Sequence, residues 1–95
     1  MIEAKGNFQG MKISILFDSV ATDSFISAKF VKHCNIPARN SEMAWQVELA
    51  SGSKVETRLI AVDCKLQLKA FTTIVNLRVI PLGTYDIILG MDWLE

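Results

Sequence analysis

The sequence predicts an all-β fold, mainly antiparallel, with one or two short helices. Apolar and polar residues alternate with period two along much of the chain, which is typical of strands. Clusters of Gly, Pro, Ser and Asn separate these stretches, and only one internal stretch has helical spacing. The 95 residues contain no repeat and no low-complexity segment, so we expect one domain over residues 1–95.

The composition narrows the classes of partner. Ten basic residues balance ten acidic ones, so nothing indicates electrostatic binding of nucleic acid or of an anionic membrane. No apolar run approaches the roughly 18–20 residues that cross a bilayer. The N-terminus lacks the basic and then apolar pattern of a signal peptide. We therefore expect an intracellular, cytoplasmic protein.

The two cysteines, Cys34 and Cys64, are expected to be reduced and mostly buried. Together with His33 they supply too few ligands, at these spacings, for a metal site. We expect neither a metal nor any other cofactor.

The N-terminal half is predicted to contain a buried strand and then a helix. Met11–Phe17 has the composition of a strand buried on both faces, and a turn around residues 7–10 precedes it. Ser27 can cap the start of a helix. Residues 35–37 are predicted to end it, because the residue before a proline avoids helical geometry. The apolar face of this helix is predicted to carry Phe30, Val31 and Cys34.

The middle of the chain is predicted to form a long hairpin. Residues 38–44 are polar and predict a loop, after which an alternating strand leads to a turn at residues 50–53. The returning strand changes phase at Ile60, which indicates a bulge. Before the change, Val55, Thr57 and Leu59 share one face. After it, the apolar set is Ile60, Val62, Cys64, Leu66 and Leu68.

Three further elements complete the chain. After a short turn at residues 69–70, alternation predicts a strand over residues 71–79, which a Pro-Leu-Gly turn ends. Residues 85–89 predict the last strand. Residues 91–95 predict the start of a helix, which we expect to be truncated.

Two motifs carry the strongest functional information. Asp18-Ser19-Val20-Ala21 follows the first apolar run, and Tyr85-Asp86-Ile87-Ile88-Leu89-Gly90-Met91-Asp92-Trp93-Leu94 lies near the C-terminus. In this order and separation they resemble the retropepsin-like aspartic proteases, specifically the gypsy-type LTR retrotransposon (Gag-Pol polyprotein) branch. The resemblance spans about residues 10–94. It implies the retropepsin-like acid-protease fold, a half-barrel with one lobe per chain.

Peptide hydrolysis by this class needs two adjacent carboxylates that share one proton, because like charges about 3 Å apart cannot both ionise. One carboxylate acts as general base on a water while the other donates to the scissile carbonyl. A chain with one such loop supplies one carboxylate, so a symmetric dimer would place Asp18 beside its copy. The resemblance implies the same homodimer, with an extended peptide or polyprotein as substrate.

The resemblance also assigns roles to individual positions. Asp18 is implied to be catalytic, and Ser19 to brace the two loops across the dimer axis. Residues 88–90 are implied to cross behind the loop and hold it rigid, and residues 47–58 to form a flap that closes over the peptide. The implied supporting positions are Ser19, Val20 and Ala21 in the active-site loop, and Ile88, Leu89 and Gly90 behind it. The implied flap and substrate-binding positions are Ala50, Ser51, Gly52 and Ser53.

Val20 departs from the resemblance, because the family has glycine at this position. If the position needs positive φ, valine is strongly disfavoured there. If φ is ordinary, two isopropyl groups, one per chain, still enter the site. A displacement near 1 Å can cost on the order of 10²-fold in rate. We therefore expect weak or absent activity, and the alternative is an inactive domain that acts as a peptide-binding or dimerisation module.

Other polar and aromatic residues have simpler interpretations. Asp86 and Asp92 are predicted to be turn or helix-start aspartates. Asp23 is predicted to be a loop aspartate, although it lies near enough to Asp18 to face substrate. Trp93 is predicted to pack against the sheet, and the apolar composition predicts apolar side-chain pockets.

Overall fold

Strands dominate the protein. The structure is a computed structural model that describes residues 2–48 and 52–94. Within these residues the elements are, in chain order, β1 (Ile2–Phe8), β2 (Met11–Phe17), β3 (Phe25–Ser27), α1 (Ala28–His33), β4 (Arg39–Glu48), β5 (Lys54–Leu68), β6 (Thr72–Ile80), β7 (Ile87–Leu89) and α2 (Met91–Leu94). The predicted all-β class with short helices is confirmed.

The strands close into a ring with one hairpin strand outside it. Hydrogen-bonded neighbours follow the order β1-β2-β7-β3-β6-β5-β4, and β1 also pairs with β5. The length of β5 makes both pairings possible, because its first half pairs with β4 and its last residues, 66–68, pair with β1. Closure leaves β4 as the edge strand of the described part of the sheet.

The core fills the inside of this ring. In β6 the residues Val75, Leu77 and Val79 are buried while Ile74 and Asn76 are exposed, as the alternation predicts. Burial of a large aliphatic side chain stabilises the fold by about 1.5–3 kcal/mol. Large side chains that are fully buried come from most strands of the ring: Ile13, Ile15, Ile26, Leu66, Leu77, Ile87 and Leu89.

The helix α1 begins and packs as predicted. The backbone N–H of Phe30 donates to Ser27 Oγ at 3.4 Å, so Ser27 is the N-cap. The chain leaves the helix through Asn35, whose φ is 52°. The predicted face of α1 packs against the core through Phe30, Val31 and Cys34.

The first strand, β1, has no counterpart among the predicted elements. Asn7 and Phe8 belong to it, so the predicted turn at residues 7–10 is wrong in its first half. The turn itself consists of Gln9 and Gly10, whose φ angles are 53° and 80°. Positive φ at both residues is typical of the type I′ turn of a two-residue hairpin loop. β1 consists largely of small and polar residues, so it lacks a clear alternation of apolar and polar side chains. Phe8 is its one buried residue.

The predicted loop over residues 38–44 is also wrong, because β4 begins at Arg39. Within residues 2–48 and 52–94, β4 pairs only with β5, and the pairing is irregular between Asn40 and Trp45. An edge strand keeps many of its side chains in solvent, so a polar composition does not exclude one.

The predicted bulge in β5 lies later than the change of phase suggests. The register of β5 against β6 shifts between Ala61 and Cys64, and Asp63 between them has φ of 54°. Cys64 and Leu66 are buried as predicted, whereas Val62 is exposed and Ala61 takes its place in the core.

Two predicted strands begin too early. β6 begins at Thr72 rather than residue 71, and β7 begins at Ile87 rather than residue 85. Phe71 instead lies outside the sheet and stacks on Trp93, with ring centroids 6.0 Å apart.

Cys64 is buried and Cys34 is half-buried, and both are free thiols. Burial, with a smaller contribution from Asp63, raises the pKa of the Cys64 thiol to about 11. This thiol is therefore protonated at neutral pH. Neither helix in the described part of the chain is long and apolar enough to cross a membrane.

Candidate active site

Asp18 lies at the point where β2 ends, and three hydrogen bonds fix its loop. Its backbone N–H donates to the Leu89 carbonyl at 2.9 Å, and its own carbonyl accepts from the N–H of Ala21 at 3.2 Å. The N–H of Val20 donates to Asp18 Oδ1 at 2.9 Å. The loop thus orients a half-buried carboxylate by its own backbone. Ser19 is exposed beside it.

Val20 adopts this loop without backbone strain. The non-glycine residues with positive φ in the described chain are Gln9, Asn35 and Asp63, and Val20 is not one of them. The side chain of Val20 is 86% exposed. Valine therefore fits the backbone of the loop, and its isopropyl group stands in the open space next to Asp18.

The segment behind the loop is β7 with Gly90. β7 runs parallel to β2, with Leu89 opposite Phe17, and antiparallel to β3, with Ile88 opposite Phe25. Gly90 is buried, and a Cβ on it would lie 2.2 Å from the Asp23 carbonyl oxygen and 2.7 Å from that of Ala21. Both obstacles are backbone atoms, so this close approach requires glycine.

The start of α2 is tied to the same loop. The N–H of Met91 donates to the Ala21 carbonyl at 2.8 Å, and the N–H of Asp92 donates to the Thr22 carbonyl at 3.2 Å. Trp93 is half-buried, and the centroid of its ring lies 5.4 Å from that of Phe17. Its indole N–H donates to Thr73 Oγ1 at 2.9 Å. The prediction that Trp93 packs against the sheet is confirmed.

Ser24 is a structural residue of the site that the sequence does not reveal. It is 1% exposed, and its Oγ accepts from the N–H of Gly90 at 3.0 Å while donating to Asp92 Oδ1 at 2.6 Å. Asp92 is therefore more than a helix-start aspartate, because it completes the link between the loop after Asp18 and α2. A serine followed by the apolar pair Phe25-Ile26 is the signal that could have indicated a buried, bonded hydroxyl.

Asp86 also bonds outside its own turn. Its Oδ2 accepts from the backbone N–H of Ser14 at 2.9 Å and from Ser14 Oγ at 3.3 Å, which joins the chain before β7 to the middle of β2. This contact spans 72 residues, and no local pattern marks it.

Trp45, in the second half of β4, connects the β4–β5 hairpin to the loop after Asp18. Its indole N–H donates to Asp23 Oδ2 at 2.9 Å, and the guanidinium carbon of Arg78 lies 3.6 Å from the centre of its ring. Asp23 is thus a loop aspartate, as predicted, whose position is set by an aromatic residue of β4.

A cleft of about 190 Å³ lies between this loop and β4. Its lining comprises Val20, Ala21, Thr22, Asp23, Phe25, Trp45, Gln46, Val47 and Glu48. The predicted flap positions Ala50 and Ser51 lie outside the described residues, while Gly52 has φ of 88° and precedes β5 with Ser53. A larger depression of about 930 Å³ near Lys5 and Phe71 includes no residue of the Asp18 loop, so the smaller cleft is the relevant one.

Among the residues that the structure describes, Asp18 is the one carboxylate that this loop and the segment behind it hold in this way. The carboxylates of Asp23, Asp86 and Asp92 accept hydrogen bonds from Trp45, Ser14 and Ser24, and none of these bonds involves Asp18. The described residues hold no group of three or more His, Cys, Asp or Glu side chains placed to bind a metal. A mechanism that uses two adjacent carboxylates would therefore have to take the second one from elsewhere.

Comparisons with known proteins bear on both fold and site. The sequence matches the family model described as retroviral aspartyl protease over residues 2–95. The chain is also similar to a solved structure, the retroviral protease-like domain of Ddi1 from Leishmania major, with a TM-score of 0.71 and 18% identity. That alignment covers 99% of this chain and 74% of the other, and at this identity it shows a shared retropepsin-like fold. A comparison with curated proteins found no match.

Proposed function

Because this chain belongs to the retroviral aspartyl protease family, we propose that it is an aspartic endopeptidase domain. It acts as a homodimer, in which Asp18 of each chain contributes to one shared site. Its substrate is an extended peptide, such as a segment of a polyprotein. The resemblance of residues 85–94 to the gypsy-type sequence favours a retrotransposon Gag-Pol polyprotein in the cytoplasm as that substrate.

The observation that carries the proposal is the way Asp18 is held. Bonds from the loop backbone and from Leu89 hold its main chain and orient Oδ1, and Gly90 packs against the loop from behind. Such preorganisation is what a catalytic carboxylate needs, since the group must hold its position while charge develops. A second chain related by a two-fold axis would supply the second carboxylate in an equivalent loop.

In this site the two Asp18 side chains share one proton. The ionised carboxylate takes a proton from a water, whose oxygen attacks the scissile carbonyl carbon, while the protonated one donates to the carbonyl oxygen. The carboxyl that took the water proton then gives it to the leaving nitrogen, while the other carboxylate takes a proton back from a hydroxyl of the tetrahedral intermediate. The C–N bond breaks, which yields a carboxyl end and an amine end. The hairpin β4–β5 would cover the peptide and bond to its extended backbone.

Val20 lowers the rate in this proposal without preventing folding. Its side chain is exposed beside Asp18, where it would meet either the peptide or the copy of itself in the partner chain. The same observation favours the alternative function, an inactive peptide-binding or dimerisation module. The two functions predict different effects of glycine at this position: glycine should increase the rate of peptide cleavage by a protease, and should not produce cleavage by an inactive module.

The test compares cleavage of a mixed peptide library, between about pH 4 and 7, by the chain with Val20 and by Val20→Gly. We expect slow cleavage with Val20, and kcat/KM on the order of 10²-fold higher with glycine. Each chain carrying Asp18→Asn serves as the blank. Val62→Gly is the matched control, because Val62 is also exposed but lies in the β5 bulge, and it should not raise the rate. Peptide binding without cleavage by either chain would favour the module instead.

A further inference from the structure

From the cleft beside Asp18 we infer a preference for a positively charged side chain, lysine or arginine, in the peptide. This inference rests on the proposed function and specifies its substrate. The cleft is smaller than the roughly 300–1,000 Å³ of sites that hold whole small molecules, so its size suits a single side chain.

The charge of the lining carries the inference. Of the described residues that line the cleft, two are ionisable, Asp23 and Glu48, and both are acidic. Asp23 is the better placed of the two, because it is half-buried and hydrogen bonds hold it in position. Both described bonds to its side chain, from Trp45 and Thr22, end on Oδ2, and a carboxylate has further acceptor capacity at Oδ1.

Two positively charged side chains lie near these carboxylates, and their charges have to be compared with those of the lining. Arg78 stacks on the ring of Trp45, but it lines a neighbouring cavity that Trp45 also borders, not the cleft itself. Lys54 is the cross-strand neighbour of Glu48 and does not line the cleft either. Because Lys54 offsets the charge of Glu48 in part, Asp23 contributes most of the preference.

The apolar part of the lining fits the same ligand. Val20 and Val47 provide surface for an aliphatic stem, and the carboxylates provide acceptors for its charged end. Lysine and arginine bury their stems in this way while the charged group finds a polar partner. The apolar pockets predicted from composition therefore do not describe this cleft, whose lining combines apolar surface with acidic groups.

The experiment uses peptide libraries in which one position at a time is fixed as lysine, arginine, norleucine or glutamate. Norleucine matches the lysine stem without its charge. At one position, we expect lysine or arginine to raise kcat/KM about 10-fold over norleucine, which corresponds to one well-placed charge interaction. Added salt should reduce the difference, because screening weakens a partly exposed ion pair.

Two variants and one control locate the effect. Asp23→Asn keeps an oxygen that can accept from the Trp45 indole, so it should remove most of the preference while the hairpin keeps its position. Glu48→Gln should remove a smaller part. Asp63→Asn is the control, because Asp63 is an exposed acidic residue in the β5 bulge, outside residues 47–58, and does not line the cleft. It should leave the preference intact.

Binding of the same libraries to the Asp18→Asn chain separates this inference from the proposed function. If no library is cleaved but the lysine library binds more tightly than the norleucine library, the protease function is rejected and the assignment of the cleft is kept. Equal binding and equal cleavage of the lysine and norleucine libraries would overturn the inference. A lysine preference that survives Asp23→Asn would also overturn it.

Discussion

Replacement of Gly90 by alanine is expected to destabilise the protein by about 3 kcal/mol or more, enough to unfold a marginal domain. The added Cβ would lie 2.2 Å from the Asp23 carbonyl oxygen and 2.7 Å from the Ala21 carbonyl oxygen. Neither obstacle is the end of a flexible side chain, so the loop and β7 would have to separate. Separation would also break the bond between the Gly90 N–H and Ser24 Oγ.

Thermal unfolding followed by circular dichroism measures this effect. A domain of this size loses about 4–8 °C in Tm per kcal/mol, so we expect a decrease of about 12–24 °C or no cooperative transition. Gly83→Ala is the matched control, since a Cβ at Gly83 meets no atom within 4 Å and φ there is not positive. Its Tm should stay nearly unchanged. Equal Tm values for the two variants would show that the packing behind the loop is not as described.

Asp18→Asn is expected to abolish peptide cleavage while leaving the fold intact. An asparagine cannot act as general base or share a proton with its copy, so the rate should decrease on the order of 10⁴-fold. Its Oδ1 can still accept from the N–H of Val20, so the loop should keep its shape. Cleavage of the peptide library and Tm, measured on one preparation, separate loss of chemistry from loss of structure.

Asp63→Asn provides the control for this change. Asp63 is exposed in the β5 bulge and has φ of 54°, a conformation that asparagine adopts readily. The Asp63→Asn variant should cleave the peptide library at the rate of the unchanged chain. Full activity of Asp18→Asn would assign the chemistry to another residue.

The sequence predicts the elements whose residues alternate clearly and whose ends carry turn chemistry. β2, β6 and the Ser27-capped helix follow from periodicity and capping, which act over a few residues. β1 and the first half of β4 do not follow. Their small or polar residues are stabilised by pairing with distant strands, and local composition does not record that pairing.

The candidate site divides in the same way. The two motifs mark Asp18 and the Gly90 segment because each is contiguous. The bonds from Ser24 to Asp92 and from Trp45 to Asp23 span 68 and 22 residues, and only the folded chain brings these pairs together. The phase change in β5 indicates a bulge but not its position, because both Ile60 and Ala61 can face the core.

We propose that two chains share one site, to which each contributes one Asp18. The most direct test is to mix unchanged chains with Asp18→Asn chains, refold them together and measure cleavage at constant total protein. If active sites need two aspartates, an equal mixture should retain about one quarter of the activity, because random pairing leaves that fraction of intact dimers. An activity of about one half, in proportion to the unchanged chain, would mean that each chain acts alone and would contradict the shared site.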